Sequence, residues 1–176
     1  MGLQSFTFYV VLAWLPALLM DRGYEANFSG WMLSLSQATG ILGSLIIPFI
    51  AGSRTSQQSL VLYLALLEAI AIVGLLLPEF GWIQLWVSML GFVLGGTFGL
   101  SLLFLVVRAA KTETAIELSG MAQSVGYLVA AIGPFLFGRI FDVTGDWTYP
   151  LLLLLVVTTM KLLAGWGAGK PQTVDQ

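Results

Sequence analysis

The sequence contains neither cysteine nor histidine, and only 9% of its 176 residues are charged. Without cysteine there are no disulfides and no thiol chemistry. Without either residue there are no Cys/His metal sites, and the side chain best suited to carrying protons near neutral pH is missing. Soluble domains have about 25% charged residues, so this chain lacks the charge that a water-facing surface needs. No basic patch accompanies the formal net charge of −2, which argues against a nucleic acid partner.

The chain contains long apolar runs with few charged residues. The apolar fraction is 58%, against about 45–50% in soluble domains. Six runs reach the roughly 20 residues that a helix needs to cross the hydrocarbon core, and in lipid such runs must be helical to satisfy their own backbone. The runs are 2–20, 30–51, 59–77, 82–107, 118–141 and 149–166. This pattern predicts an all-α membrane protein with one six-helix transmembrane domain over 1–170 and a short cytoplasmic tail over 171–176.

The charges in the short breaks predict the orientation, because Lys and Arg favour the cytoplasmic side. With the N-terminus inside, the inner basic residues are Arg54, Arg108, Lys111 and Lys170, and the outer ones are Arg22 and Arg139. Both termini are therefore predicted to be cytoplasmic. Aromatic rings at the span ends, Trp147 among them, are expected to lie at the membrane interface.

The first span begins without a polar flank, which favours a piece of a longer parent with preceding helices over a minimal half-size protein. Each triplet of spans contains proline breaks, Pro16 and Pro48 in the first and Pro134 and Pro150 in the second. Weak internal symmetry of this kind is typical of the three-plus-three inverted repeats of transporters.

Three stretches carry a family resemblance. They are Gly2-Leu3-Gln4-Ser5 with Tyr9 and Trp14-Leu15-Pro16; Gly95-Gly96-Thr97-Phe98-Gly99 through Arg108; and Leu118-Ser119-Gly120-Met121-Ala122-Gln123-Ser124-Val125-Gly126-Tyr127, continuing to Gly133-Pro134, Gly138, Asp142, Thr144-Gly145 and Trp147. Together they resemble the C-terminal six-helix half of the major facilitator superfamily, most of all the branch that contains cyanate and 2-nitroimidazole transporters. The short loop Gly52-Ser53-Arg54-Thr55-Ser56 departs from the family pattern, which has a longer basic loop here, so the resemblance leaves open whether this loop makes gating contacts.

The resemblance implies two inverted three-helix repeats in a bacterial inner-membrane secondary transporter that needs no cofactor or metal. The implied partners are a small solute, the lipid bilayer, and either an N-terminal six-helix half or a second copy in a homodimer. The implied solute is small and polar or weakly anionic, like cyanate or nitroimidazole. A non-transporting membrane packing module is the alternative. A membrane enzyme ranks third, because the chain has no common nucleophile–base pair.

Polar side chains inside the spans are the candidate site, since such groups tend to face the bundle interior or an aqueous cavity. The predicted substrate-binding residues are Gln4, Tyr9, Gln37, Ser101, Gln123 and Tyr127. Helical spacing places Gln123 and Tyr127 on one face, and the resemblance places both, with Gln4 and Tyr9, on cavity-lining helices. The competing interpretation is that these groups join helices, at about 0.6 kcal/mol each, and line nothing.

Four charged residues within or at the ends of spans remain. Glu68, near the middle of the third span, is a proton-coupling candidate; alternatively it is a protonated side chain hydrogen-bonded to a neighbouring helix. Lys161 is expected to extend its flexible stem to the cytoplasmic interface. Arg139 and Asp142 are gating candidates, although a local ion pair at the outer end of the fifth span is the stronger expectation.

Overall fold

The computed structural model describes residues 1–107, 109 and 111–170, and folds them into six long α-helices without strands. The helices are α1 (Gly2–Asp21), α2 (Ala26–Gly52), α3 (Gln58–Leu76), α4 (Ile83–Val107), α5 (Thr112–Thr144) and α6 (Thr148–Ala168), with a 3₁₀ turn at Pro78–Phe80. All six are long and apolar enough to cross a membrane. Large apolar side chains such as Phe49 and Phe135 are exposed, as an integral membrane protein requires. Arg108 and the predicted tail 171–176 lie outside the described residues.

Two helices begin earlier than the apolar runs predict. Helix α2 begins at Ala26 instead of residue 30, and α5 begins at Thr112 instead of residue 118. The first turns of α5 carry Glu113 and Glu117, which end an apolar run but do not break a helix. At 1.5 Å per residue, the 33 residues of α5 extend over about 50 Å, which exceeds the roughly 30 Å thickness of the hydrocarbon core.

The most extensive helix packing joins α2 to α4, α1 to α5, and α3 to both α4 and α6. Exchanging the first three helices for the last three turns the α1–α5 pair into the α4–α2 pair and leaves the α3–α6 pair unchanged. These three pairings are those expected of two three-helix repeats, although α3 packs against α4 more extensively than α6 packs against α1. The predicted fold class, half of a major facilitator transporter, agrees with this arrangement.

Glycines bring α2 and α4 into backbone contact along a surface that we call the glycine seam (Gly40, Gly43, Gly91, Gly95 and Gly99). A Cβ atom on Gly95 would lie 1.8 Å from the carbonyl oxygen of Gly40, and one on Gly43 would lie 2.0 Å from that of Phe92. The small-residue spacing of α4 therefore serves close helix packing, as the sequence indicates.

Aromatic side chains join α1 to α5 and to the turn before α6. The Trp14 indole lies over Gly138 and donates its N–H to the Pro134 carbonyl at 2.9 Å. Trp147 stacks on Phe141 with ring centroids 3.9 Å apart and donates to Asp21 Oδ2 at 2.8 Å. Trp147 lies in the turn between α5 and α6, and its ring is buried in this cluster; its position at the membrane interface stays a prediction.

The loop between α2 and α3 is fastened to the end of α6. The buried Gln57 side chain donates to the carbonyls of Ala51 and Arg54, at 3.3 and 2.7 Å, and the Gln57 backbone N–H donates to Gly169 at 3.1 Å. This loop is held by helix-end carbonyls of its own half.

Candidate solute site

A cavity of about 280 Å³ lies between α1, α2, α4 and α5, and we call it the first cavity. Four predicted substrate-binding residues line it: Gln4 and Tyr9 from α1, Gln37 from α2 and Tyr127 from α5. The glycine seam forms part of its wall through Gly40, Gly91 and Gly95. Because glycines have no side chains, α2 and α4 approach each other closely and no side chain from the glycine seam fills the first cavity.

The polar groups of α1 are held in fixed positions. Gln4 is buried and donates Nε2–H to the Leu94 carbonyl of α4 at 3.0 Å. Ser5 donates its hydroxyl to Gln4 Oε1 at 3.2 Å. These bonds tie α1 to α4 and orient the Gln4 amide at the edge of the cavity.

Two tyrosines from different helices meet across the first cavity. The rings of Tyr9 and Tyr127 are in edge contact, with centroids 6.5 Å apart, and both side chains are partly exposed. Gln37 is half-buried in the opposite wall. This arrangement offers hydroxyl and amide groups together with aromatic faces, and no formal charge lines the cavity.

A second cavity, of about 650 Å³, lies between α1, α3, α4, α5 and α6. Ser101 lines this second cavity, and its hydroxyl donates to the Thr97 carbonyl at 2.7 Å. Gln4 lines both cavities, so its side chain stands between them. Gln123 lines neither of the two and donates to Ser119 on its own helix at 2.7 Å.

Glu68 and Lys161 form an ion pair in the wall of the second cavity. The Glu68 side chain is 1% exposed, and its Oε1 accepts from Lys161 Nζ and from the Thr158 hydroxyl at 3.1 Å. Lys161 also donates to Thr7 Oγ1 of α1 at 3.2 Å. The expectation that Lys161 extends to the interface is therefore wrong. Its stem turns inward because an unpaired buried carboxylate is costlier than a desolvated, paired ammonium.

The predicted local ion pair of Arg139 and Asp142 is also wrong. Both side chains are exposed, and the Glu68–Lys161 contact is the sole ion pair within 4.0 Å among the described residues. Exposed pairs gain little free energy and cost side-chain entropy, so these two side chains remain separate.

Sequence reasoning missed several apolar and small residues of the first cavity, among them Phe8, Ser36, Ile41 and Phe98. Apolar residues in a membrane span carry no signal that separates a cavity wall from a lipid-facing surface. The partnership of Glu68 and Lys161 did have a signal, because opposite charges occur within two otherwise apolar helices.

Comparison with known proteins covers the whole chain. The chain is 36% identical over 177 residues to the uncharacterized transporter YycB of Bacillus subtilis. It is also 36% identical over 174 residues to the 2-nitroimidazole transporter of Escherichia coli. It is 27% identical over 166 residues to the cyanate transport protein CynX of Escherichia coli. These alignments cover 100%, 99% and 91% of this chain, but only 44%, 44% and 43% of the relatives.

The chain thus spans less than half the length of these curated relatives. No family model matches the chain, and no solved structure matches it. The relatives are named as transporters, which points to a non-enzymatic role. The chain is therefore similar over nearly its whole length to transporters, among them those named for 2-nitroimidazole and cyanate, and is consistent with one six-helix half of a major facilitator transporter.

Proposed function

We propose that this chain is the C-terminal half of a secondary transporter that moves a small polar or weakly anionic solute by alternating access. The observation that supports this most is the first cavity, where amide and phenol groups from α1, α2 and α5 converge in an otherwise apolar domain. Side chains that served only to join helices would bury these groups against one another. Here Tyr9 and Tyr127 remain partly exposed.

The size and chemistry of the first cavity favour a small solute with few charges. A space of about 280 Å³ lies just below the roughly 300–1,000 Å³ usual for small-molecule sites. Neutral donors such as Tyr9, Gln37 and Tyr127 suit a polar molecule or a delocalised monoanion. A relative named for cyanate and one named for 2-nitroimidazole agree with a solute of that size.

Alternating access requires a second six-helix unit on the far side of the site. We propose that this unit is an N-terminal half or, failing that, a second copy of this chain. The membrane is a bacterial plasma membrane with both termini cytoplasmic. The Gln57 backbone N–H donates to Gly169, so the Arg54 loop and the C-terminal end of α6 share one end of the bundle. Arg139 and Asp142, exposed at the outer part of α5, remain candidates for gating contacts with the second unit.

The test is uptake by the full-length transporter in proteoliposomes, with radiolabelled 2-nitroimidazole and cyanate as probes. Tyr127→Phe should weaken apparent affinity several-fold, because an unmade hydrogen bond costs about 0.5–1.5 kcal/mol net. Gln37→Ala should weaken it more, since both donor and acceptor are lost. Tyr63→Phe is the matched control, because Tyr63 is exposed on α3 away from both cavities.

Uptake per folded molecule and melting temperature are measured together for each variant. Unchanged uptake with lower stability in Tyr127→Phe and Gln37→Ala would contradict the proposed site and favour the packing module. Gln123→Ala tests the remaining sequence prediction on α5. Reduced uptake in that variant would extend the site along the helix, and normal uptake would limit it to the first cavity.

A further inference from the structure

The Glu68–Lys161 ion pair stands out because it lies among apolar helices yet borders an open space. Burying two charges costs several kcal/mol for each ion, and well-packed apolar residues are often as stable or more so. Packing alone therefore gives little reason for this pair. Its position in the wall of a cavity of about 650 Å³ gives each member access to a third group.

We infer that Lys161 is a binding site for a small monovalent anion in the second cavity, and that Glu68 is the counter-ion which the anion replaces. The inference rests on the proposed transport function and deepens it by naming the charge of the solute and its coupling ion. Lys161 binds the anion when the Glu68 carboxylate takes up one proton from the aqueous phase. The Lys161–Glu68 contact then breaks, the Lys161–anion contact forms, and the net charge of the site stays zero.

The low polarity of the surroundings links the two events. Among the helices around the pair, α4 has no charged residue within its described length. The charged residues of α5, namely Glu113, Glu117, Arg139 and Asp142, are exposed and line neither cavity. The Met1 amino group, an electrostatic neighbour of Lys161, is the other titratable group facing the pair. Removing one member of a buried pair without replacing it costs about 3–5 kcal/mol, so anion and proton bind together.

Thr7 connects this site to the first cavity. Lys161 Nζ donates to Thr7 Oγ1, and Thr7 lies three residues after Gln4, close to one helical turn along α1. Gln4 stands between the two cavities. An anion that enters the first cavity is therefore about one turn of α1 from the ammonium group.

The first test is anion rescue of stability in the full-length protein, with thiocyanate and cyanate as probes. Glu68→Gln leaves the Lys161 ammonium unpaired and should lower the melting temperature. Saturating thiocyanate should then raise it by a few degrees, since a ligand stabilises the state that binds it. The charge-free double variant Glu68→Gln/Lys161→Met is the matched control and should not respond. A Glu68→Gln protein that thiocyanate and cyanate fail to stabilise overturns the inference.

The second test is the pH dependence of anion binding and uptake. Wild-type affinity for thiocyanate should rise about tenfold for each unit of falling pH, because one proton binds with each anion. In proteoliposomes an inside-alkaline gradient of one unit should drive up to about tenfold accumulation. Glu68→Gln should lose both effects and retain anion exchange. Accumulation that persists in Glu68→Gln excludes the counter-ion role of Glu68. Loss of uptake in Tyr127→Phe does not bear on that role, because Tyr127 reports only on the first cavity.

Discussion

Replacing Gly95 with alanine tests whether close packing in the glycine seam is essential. The added Cβ would lie 1.8 Å from the Gly40 carbonyl oxygen, where ordinary contacts begin at 3.4 Å. The obstructing atoms are all backbone atoms of Gly40, so no side-chain rotation relieves the overlap. Helices α2 and α4 would have to separate by about 1.6 Å or change register.

The magnitude follows from two opposing effects. Alanine stabilises a helix interior by about 0.5–1 kcal/mol relative to glycine. Overpacking a tight contact costs about 1–3 kcal/mol, and more where backbone must move. Because backbone must move here, the upper end of the overpacking cost applies, and the net loss for Gly95→Ala is about 2 kcal/mol or more. The first cavity is also disturbed, because Gly40 and Gly95 line its wall.

Gly30→Ala is the matched control, because Gly30 lies on α2 with nothing within 4 Å of its added Cβ. This variant should be as stable as wild type or slightly more so. Melting temperatures of both variants are compared in detergent on the full-length protein, and solute uptake is measured beside them. Equal melting temperatures for Gly95→Ala and Gly30→Ala would refute the backbone contact on which the fold of this half depends.

Two further predictions concern the turn between α5 and α6. Trp147→Phe keeps the stacked ring but loses the hydrogen bond to the Asp21 carboxylate, so the free energy of unfolding should fall by about 1.5–3 kcal/mol. Trp31 is 73% exposed, so Trp31→Phe is the control and should leave stability unchanged. An equal loss in both variants would contradict the prediction. The hydrogen bond from the Thr148 backbone N–H lowers the pKa of Asp146 below its ordinary value of 3.8. The stabilising effect of this hydrogen bond is thus complete at pH values above 3.8. It is lost as the pH falls through the lowered pKa of Asp146. The melting-temperature difference between wild type and Asp146→Asn should disappear in acid, and a difference unaffected by acid would contradict it.

Much of the fold could be predicted because the bilayer restricts the possible structures. Apolar runs of membrane-spanning length must be helices, so the existence of all six was determined by composition. The ends were less certain, since a criterion based on apolarity stops at Glu113 and Glu117 whereas the helix continues through them. The four-residue spacing of Gly91, Gly95 and Gly99 in α4 also favours close helix packing, which these glycines make with α2.

The candidate site was predicted in part. Gln4, Tyr9, Gln37 and Tyr127 do line one cavity, because polar groups in a span avoid lipid and thus face inward. Ser101 faces a different cavity, and Gln123 bonds within its own helix. Helical periodicity shows which residues share a face but does not show which neighbouring helix that face meets.

By itself, the sequence determined that this is a six-helix membrane protein with neutral polar groups in its interior, because the cost of unsatisfied backbone and of charge in lipid leaves no other arrangement. Only the tertiary structure decided that Lys161 turns inward to Glu68, 93 residues away. The packing of α3 against α6 and of α6 against α1 brings Glu68 and Thr7 to one ammonium group, while Thr158 donates to the Glu68 carboxylate. No local pattern specifies that meeting, since it depends on the order in which the helices are arranged around the bundle.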